Sequence, residues 1–264
     1  FRVADRTSLY TDGRIDKVFE RDEMTDEAMA PYITDWNIKG PDPEPESDEG
    51  VMHFHCVYAG NLQGLRFVLN KGECVTLLDV DNRIAEDVAG LLCGRLTCEK
   101  GRITLEHKPY TPAKAARYLD EGIALIPKDC VERLLFWDRT YMENLTFLLD
   151  RKLKKSLMSR KIFRSIRNEY EPLVGKAIHA LVYYKMQLLH PRVLVCIQPL
   201  AKGDMFTRMK ILELLRGILS QGTAVLIITT NVSDTLDISD RLLIVEKGAC
   251  TASYEKNEFN RIVR

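Results

Sequence analysis

The chain has 264 residues, 45% of them hydrophobic, and its basic and acidic side chains balance to a formal net charge of zero. That length holds one large α/β domain with an appendage, or two small domains, and the charge balance gives no bulk argument for a nucleic-acid or other polyanionic partner. Seven scattered cysteines, with no C-x-x-C pair and no zinc spacing, point to free buried thiols in a reducing cytosol rather than to a disulfide framework; no apolar run reaches the length of a membrane span and no signal peptide is visible.

The sequence opens mid-pattern at Phe1, as a fragment of a longer polypeptide would. Two stretches share one design: ADRTSLYTDGR (Ala4 to Arg14) and SDRLLIVEKGA (Ser239 to Ala249). Each reads as a helix-ending Asp-Arg, a short apolar strand, then a charged residue and Gly in a hairpin turn, with Asp5 to Gly13 spaced as Asp240 to Gly248. Thr25 is an N-cap candidate for a helix over DEAMAPYI. Residues 1–36 therefore read as the tail of one domain and 51–264 as a second domain of the same kind. The stretch 37–50 between them, of which KGPDPEPESDEG fills Lys39 to Gly50, is rich in proline and acid and reads as an extended linker.

From Val51 the pattern turns to strands. VMHFHCVY and GLRFVLN are short and β-prone, ECVTLLDV reads as a buried strand followed by a helix to about Leu92, and GRITLEHKPY reads as a further strand pair. Thr111 and Pro112 open a helix closed by Gly122. IALIPKD is a continuous apolar strand, the stretch from Tyr141 to Tyr170 is largely helical, and AIHALVYYKMQLLH is a helix stopped by Pro191. RVLVCI and TAVLIIT, with the helix DMFTRMKILELLRGILSQG between them, complete an alternation of buried strands and helices. That alternation predicts a mainly parallel sheet with helices on its faces.

The segment from Asn70 to Gly94 has the strand–loop–helix frame of a phosphate-binding loop but not its chemistry. A working loop carries glycines, then a Lys and a Ser or Thr where the helix starts. Here the loop is Asp79, Val80, Asp81, Asn82, Arg83, Ile84, Ala85, Glu86. No glycine lets the backbone curl onto a phosphate, and carboxylates are expected near the seat of the phosphate oxygens. One like-charge pair about 4 Å apart costs roughly 4 kcal/mol at an effective dielectric near 20. Asp79, Asp81, Glu86 and Asp87 are expected to cancel much of what helix-dipole and amide contacts offer, and Arg83 offsets one of them at most. DVDN loosely echoes a calcium loop but lacks its glycine and distal bidentate Glu, so a solvated acidic helix entrance is the preferred reading and no metal is expected.

Other features are weaker. The basic run Arg151 to Arg167 carries an apolar stripe at Leu153, Leu157, Ile162 and Ile166; a solvated helix face is favoured over a nucleic-acid or anionic-membrane surface. His53 and His55 share one strand face without a third ligand nearby in sequence, which does not make a zinc site.

The order and spacing of KGE (Lys71 to Glu73), GIALIPKD (Gly122 to Asp129), MENLTF (Met142 to Phe147), HPRVLVCIQPLAKGD (His190 to Asp204) and ISDRLLIVEKG resemble the ATP-binding subunits of bacterial ABC importers, most closely the two-domain ATPases of ribose-type monosaccharide uptake. The resemblance implies an α/β fold: a P-loop NTPase, RecA-like nucleotide-binding domain, with an antiparallel β subdomain over residues 51–110 and a helical subdomain around 130–180. It also places the departures. Ala85 stands where the phosphate-binding cation belongs and Glu86 where the magnesium-binding hydroxyl belongs; Leu173, Val174, Gly175 and Lys176 stand for the LSGG signature. Ile197 and Gln198 replace the Asp-Glu pair before Pro199, and Thr230 takes the switch-histidine position. Tyr58 corresponds to the adenine-stacking aromatic, although packing or a strand-end role is the plainer account of it. Lys128, Asp129, Val174, Gly175, Gly203 and Asp204 fall where the family meets its partners.

With both the metal ligand and the general base gone, phosphoryl transfer lacks the charge neutralisation it depends on. The resemblance then implies a non-hydrolysing structural or regulatory domain, with no cofactor expected, facing another nucleotide-binding domain and coupled to a transmembrane permease from the cytoplasmic face of the membrane. Two alternatives stay open: a transporter subunit that binds or hydrolyses ATP weakly, with ATP and magnesium as cofactors, and a soluble adaptor that uses the fold as a binding module.

Overall fold

The computed structural model describes residues 6–11, 14–20, 23, 50–111, 118–149, 160–170, 178–202, 204–232 and 235–261. It divides into two units, Phe1–Lys39 and Gly40–Arg264. In the first, β1 (Arg6–Thr11) and β2 (Arg14–Glu20) form an antiparallel hairpin. Its open end is closed by an Arg6–Glu20 ion pair of 2.6 Å, and Phe19 is buried with the Lys17 ammonium 4.7 Å from its ring centroid. The helix expected after Thr25 and the linker over 37–50 lie outside the described residues, apart from Gly50.

The second unit begins with β3 (Gly50–Ala59) and β4 (Leu62–Asn70), followed by β5 (Cys74–Asp79), α1 (Ala85–Leu92), β6 (Lys100–Leu105) and β7 (Lys108–Tyr110). Strands β4, β3, β6 and β7 make one antiparallel sheet in that order. The antiparallel layer expected over 51–110 is therefore present, with β5 departing from it into a second sheet. Next come β8 (Ile123–Ile126), α2 (Cys130–Leu134), α3 (Tyr141–Thr146), α4 (Arg160–Tyr170), α5 (Ile178–Leu189), β9 (Val193–Ile197), α6 (Met205–Ser220), β10 (Ala224–Thr229), β11 (Arg241–Glu246), β12 (Ala249–Glu255) and a closing 3₁₀ turn (Lys256–Arg261). The helix expected from Pro112 falls largely outside the described residues; Tyr118 to Gly122 form turns.

The second sheet has six strands in the order β12-β11-β5-β10-β9-β8, parallel throughout except for the β11–β12 hairpin. β9 and β10 are buried at every position, as strands covered on both faces must be. Their side chains alternate between two cores. Val193, Val195, Ile197, Ala224, Leu226 and Ile228 pack towards α1 and the antiparallel layer, while Leu194, Cys196, Val225 and Ile227 pack towards α5 and α6. At the amino edge of β5, Arg241 and Glu73 form an ion pair 9% and 12% exposed, and Arg241 also donates to the Val68 carbonyl. The seven cysteines are all free, and Cys56 is exposed rather than buried. Burial pushes the Cys74 thiol up to about 12, with Asp240 adding to it, and the Cys130 thiol up to about 11.

The two similar sequence stretches fold alike, position for position. Arg6 pairs with Glu20 and Thr11 with Arg14 in one hairpin; Arg241 pairs with Glu255 and Glu246 with Ala249 in the other. Even the register shift recurs at the matching place, between Leu9 and Tyr10 and between Ile244 and Val245. The helix expected immediately before the second Asp-Arg is absent from its described residues, because Thr235 to Ile238 form turns. Ser239 there donates its hydroxyl to the Thr235 carbonyl and meets the Thr76 hydroxyl at 2.7 Å.

Candidate functional site

In an open α/β sheet, ligands bind beyond the carboxyl ends of the parallel strands, where the strand order reverses. Asp79, Ile197 and Thr229 are the last residues of β5, β9 and β10, and β8 runs out into Pro127, Lys128 and Asp129. A cleft of 230 Å³ opens there. One wall is the 79–86 loop and the start of α1, contributing Asn82, Arg83, Ala85 and Glu86; the other is Lys128, Asp129 and Arg133; Ile197 and Gln198 line it between them.

The loop is folded around its own carboxylate. Asp79 is 2% exposed and accepts the backbone N–H of Arg83 at 3.1 Å and of Ile84 at 2.9 Å. The Asn82 N–H donates to the Asp79 carbonyl at 3.1 Å, with Asn82 itself at φ 54° in the left-handed region that asparagine tolerates. With Ala85 at the lysine position, Asp79 and Ile84 stand at the two glycine positions of the G-x-x-x-x-G-K-[ST] pattern. Ile84 is 1% exposed and belongs to the core. Gln198 donates from Nε2 to Asn82 Oδ1 at 3.0 Å, joining the end of β9 to the loop.

Solved structures with this fold are ATP-binding cassettes of ABC transporters. An ATP-binding cassette of an ABC transporter in its ADP conformation superposes with a TM-score of 0.67 at 16% identity, covering 81% of this chain and 94% of that one. The cbiO1 protein of Clostridium perfringens, part of the ABC transporter complex cbiONQ, gives 0.66 at 16% identity, covering 81% and 91%. The fold is an ABC ATP-binding cassette. Curated relatives agree along the whole sequence. The chain is 21% identical to the putative ribose/galactose/methyl galactoside import ATP-binding protein 1 of Burkholderia cenocepacia, over 99% of this chain and 54% of that protein. It is 22% identical to the xylose import ATP-binding protein XylG of Moorella thermoacetica, over 98% and 56%, and 20% identical to the ribose import ATP-binding protein RbsA of Geobacillus kaustophilus, over 97% and 56%. The chain thus spans about half the length of the curated relatives it matches. No family profile matches it.

Within this cassette the expected acidic lining is corrected. Of the four carboxylates expected to face the phosphate seat, Asp79 is turned into the loop. Asp81 accepts the Lys247 N–H at 2.5 Å, and Asp87 accepts the backbone and side-chain N–H of Asn61 at 2.7 and 2.8 Å. Only Glu86 lines the cleft. Cations are present too, from positions other than the loop lysine: Arg83, Lys128 and Arg133 all line it. Asp129 is matched by Lys202, whose ammonium hydrogen-bonds it and holds its carboxyl below the usual carboxylate range.

Of the remaining expected positions, Ile197 also lines the cleft and the others lie away from it or outside the described residues. Ile197 is buried in the core and Thr230 is exposed just past β10. Tyr58 is 38% exposed, lies over Gly64 on the neighbouring strand and is not among the residues lining the cleft. Asp204 caps α6 by accepting the Thr207 N–H at 2.8 Å, which lowers its carboxyl below the usual range. Val174, Gly175 and Gly203 lie outside the described residues.

Two residues that sequence reasoning passed over lie at a second cleft, of 320 Å³, formed by the 135–139 loop, α3 and α5; Asn144 lines it and Lys185 sits behind it on α5. Asn144 is 5% exposed; it accepts the Phe136 N–H at 2.7 Å and donates to the carbonyls of Phe136, Arg139 and Thr140 at 2.8, 3.3 and 3.2 Å. It therefore fixes the loop that presents Trp137, 69% exposed. Lys185 is 3% exposed and donates to the Leu134 carbonyl at 3.2 Å, with its ammonium 5.4 Å from the Phe147 ring and 6.0 Å from the Phe136 ring. Burial lowers its pKa. The signal in the sequence was the ENL triplet, noticed as a likeness without its bonding role. The lysine carried no signal, since a single Lys in an apolar helix reads equally well as a surface residue.

Proposed function

We propose that the chain is a non-hydrolysing ATP-binding-cassette domain of a sugar-type importer, acting as a structural or regulatory partner rather than as an ATPase. The observation that carries this reading is the Asp79 carboxylate, which takes the Arg83 and Ile84 amides from inside the loop. Amides of this kind are what a glycine loop offers a phosphate. Here an internal anion holds them, and the incoming triphosphate meets neither a free amide pair there nor a lysine at position 85. Hydrolysis further needs a metal ligand and a base, and Ile197 and Gln198 supply neither. No cofactor is expected to be retained.

Residues 1–36 are proposed as the tail of a preceding cassette, 37–50 as a linker and 51–264 as the degenerate cassette. The register-for-register match of the β1–β2 and β11–β12 hairpins supports that division, as does the span of about half the length of its relatives. The proposed partners are another nucleotide-binding domain, met through the vicinity of Lys128, Asp129, Val174, Gly175, Gly203 and Asp204, and a transmembrane permease met through the region from Lys128 to Phe147. Among the described residues no helix is long and apolar enough to cross a membrane; the domain is proposed to sit at the cytoplasmic face of the membrane. Titration of the chain with a fluorescent ATP analogue, with and without magnesium, tests the reading. No magnesium-dependent saturation is expected, and micromolar affinity that requires magnesium overturns it.

A further inference from the structure

We propose that the cavity at the amino ends of β8 and β9 binds a small organic amine, with the apolar body inside the cavity and the ammonium on Asp120. The cavity measures 450 Å³ and lies at the opposite end of the parallel strands from the 79–86 loop, so the inference does not rest on the preceding reading. It forms where the chain turns into β8 and, past the end of α5, into β9. Leu119 to Ile123 make one side, Leu189 to Arg192 another, and Leu148, just beyond α3, a third. Gly122, at φ 83°, ties the two turns together, since its carbonyl accepts the N–H groups of Arg192 and Val193 at 2.7 and 3.1 Å.

Leu119, Ile123, Leu148 and Leu189 give the cavity an apolar interior. Sites for drug-sized ligands run from about 300 to 1,000 Å³, and 450 Å³ falls within that range. Three polar side chains sort the ligands. Arg192 is already matched: its Nε lies 3.1 Å from Glu106 Oε1, and its Nη1 donates to the Glu121 carbonyl at 3.1 Å. His190, held at φ 46°, meets Gln221 Oε1 with its Nδ1 at 3.3 Å. A carboxamide oxygen only accepts, so Nδ1 carries the proton and Nε2 of the neutral ring is an acceptor. Asp120 is exposed, and its carboxylate has no ion pair or hydrogen bond among the described residues. The polar side of the cavity thus offers one unmatched carboxylate and one imidazole acceptor, which together complement an ammonium donor. An anion would meet Asp120 and a guanidinium that Glu106 already holds. Burial of the apolar body supplies the affinity, and the carboxylate supplies the choice of charge.

The test is calorimetric titration of the whole chain with phenethylamine and, separately, with hydrocinnamate, which has a similar skeleton but carries the opposite charge. Saturable binding of the amine at one site is expected, with a dissociation constant at or below about 1 mM, and none of the carboxylate. Asp120→Asn is expected to weaken the amine about tenfold, the loss of one charge-assisted hydrogen bond. Leu148→Trp, which fills the cavity from a half-buried position, is expected to abolish binding. Circular dichroism checks that both variants keep the fold. Glu213→Gln, at an exposed acid of α6 that does not line the cavity, is expected to bind as the parent does. Absence of saturable heat from phenethylamine up to about 10 mM, equal binding of hydrocinnamate, unchanged binding by folded D120N and L148W, or equal weakening by E213Q each overturns the site.

Discussion

Replacing Asp79 by Ala removes the acceptor around which the loop is built. The carboxylate makes two charge-assisted hydrogen bonds, at 3.1 and 2.9 Å, one of them to the amide of the buried residue Ile84. Hydrogen bonds to a charged group contribute roughly 1.5–3 kcal/mol each. The Arg83 amide belongs to an exposed residue and water can partly replace its partner, whereas the Ile84 amide is left without one. The net loss is therefore about 3 kcal/mol for Asp79→Ala, and about half that for Asp79→Asn, which keeps one acceptor oxygen. For a domain of this size each kcal/mol lowers Tm by roughly 2–4 °C, so D79A is expected to melt about 6–12 °C below the parent. Urea denaturation measures the free energy directly, and hydrogen exchange at the amides of Arg83 and Ile84 reports the local opening. A D79A variant within about 0.5 kcal/mol of the parent, a typical surface effect, refutes the idea that this carboxylate is the loop's internal anion.

Gly248 sits at φ 80° in the β11–β12 turn, and a Cβ there would lie 1.8 Å from the Asn61 carbonyl oxygen; Gly248→Ala is expected to lose about 3 kcal/mol or more in chemical denaturation. Asn144→Ala strips four hydrogen bonds from the 136–140 loop and is expected to lose about 2–4 kcal/mol, with faster limited proteolysis next to Trp137. Glu143 closes a capping box with Thr140 at the start of α3, and the Thr140 N–H and hydroxyl hold its carboxyl below the usual value of 4.5. That contribution is complete above pH 4.5 and is lost as pH falls through the lower folded value. Glu143→Gln is thus expected to flatten the acid limb of a stability–pH curve. Ala85→Lys alone is expected not to restore magnesium-dependent ATP binding, since Asp79 still occupies the amides and Glu86 lies beside the new ammonium; micromolar binding by A85K in a fluorescent-nucleotide titration contradicts this.

The fold was legible because burial writes itself into period. The uninterrupted apolar runs of β9 and β10 leave no reading but a strand covered on both faces, and each was seen as such in the sequence. The repeat was legible as spacing, and the structure extends it to the pairing register and the bulge, which no one-dimensional pattern encodes. What the sequence did not show was direction. Four carboxylates within nine positions read as one acidic patch, yet a loop with αL geometry at Asn82 turns Asp79 inward, while Asp81 and Asp87 reach the turns at Lys247 and Asn61. The cations that face the cleft lie about fifty residues downstream of the loop, except for Arg83, and only the β8–β9–β10–β5 strand order brings them across from it.

Under the proposed non-hydrolysing reading, the same geometry links the departures from the family pattern. In the family pattern, residues 79 and 84 are glycines because the backbone itself must touch phosphate. Once Asp79 supplies the anion from within, the loop no longer needs open space at those positions. Ile84 can then turn into the core, where it is 1% exposed beside Val88 and Leu77. Gln198, in place of the general base, bonds Asn82 across the mouth of the cleft. Asp79, Ile84 and Gln198 are thus each tied to the loop or the core at positions where the family pattern has glycines and an acid. On the proposed reading, a single substitution towards the family pattern meets an occupied loop, and nucleotide binding is expected only when the glycines, the lysine and the acidic pair are introduced together.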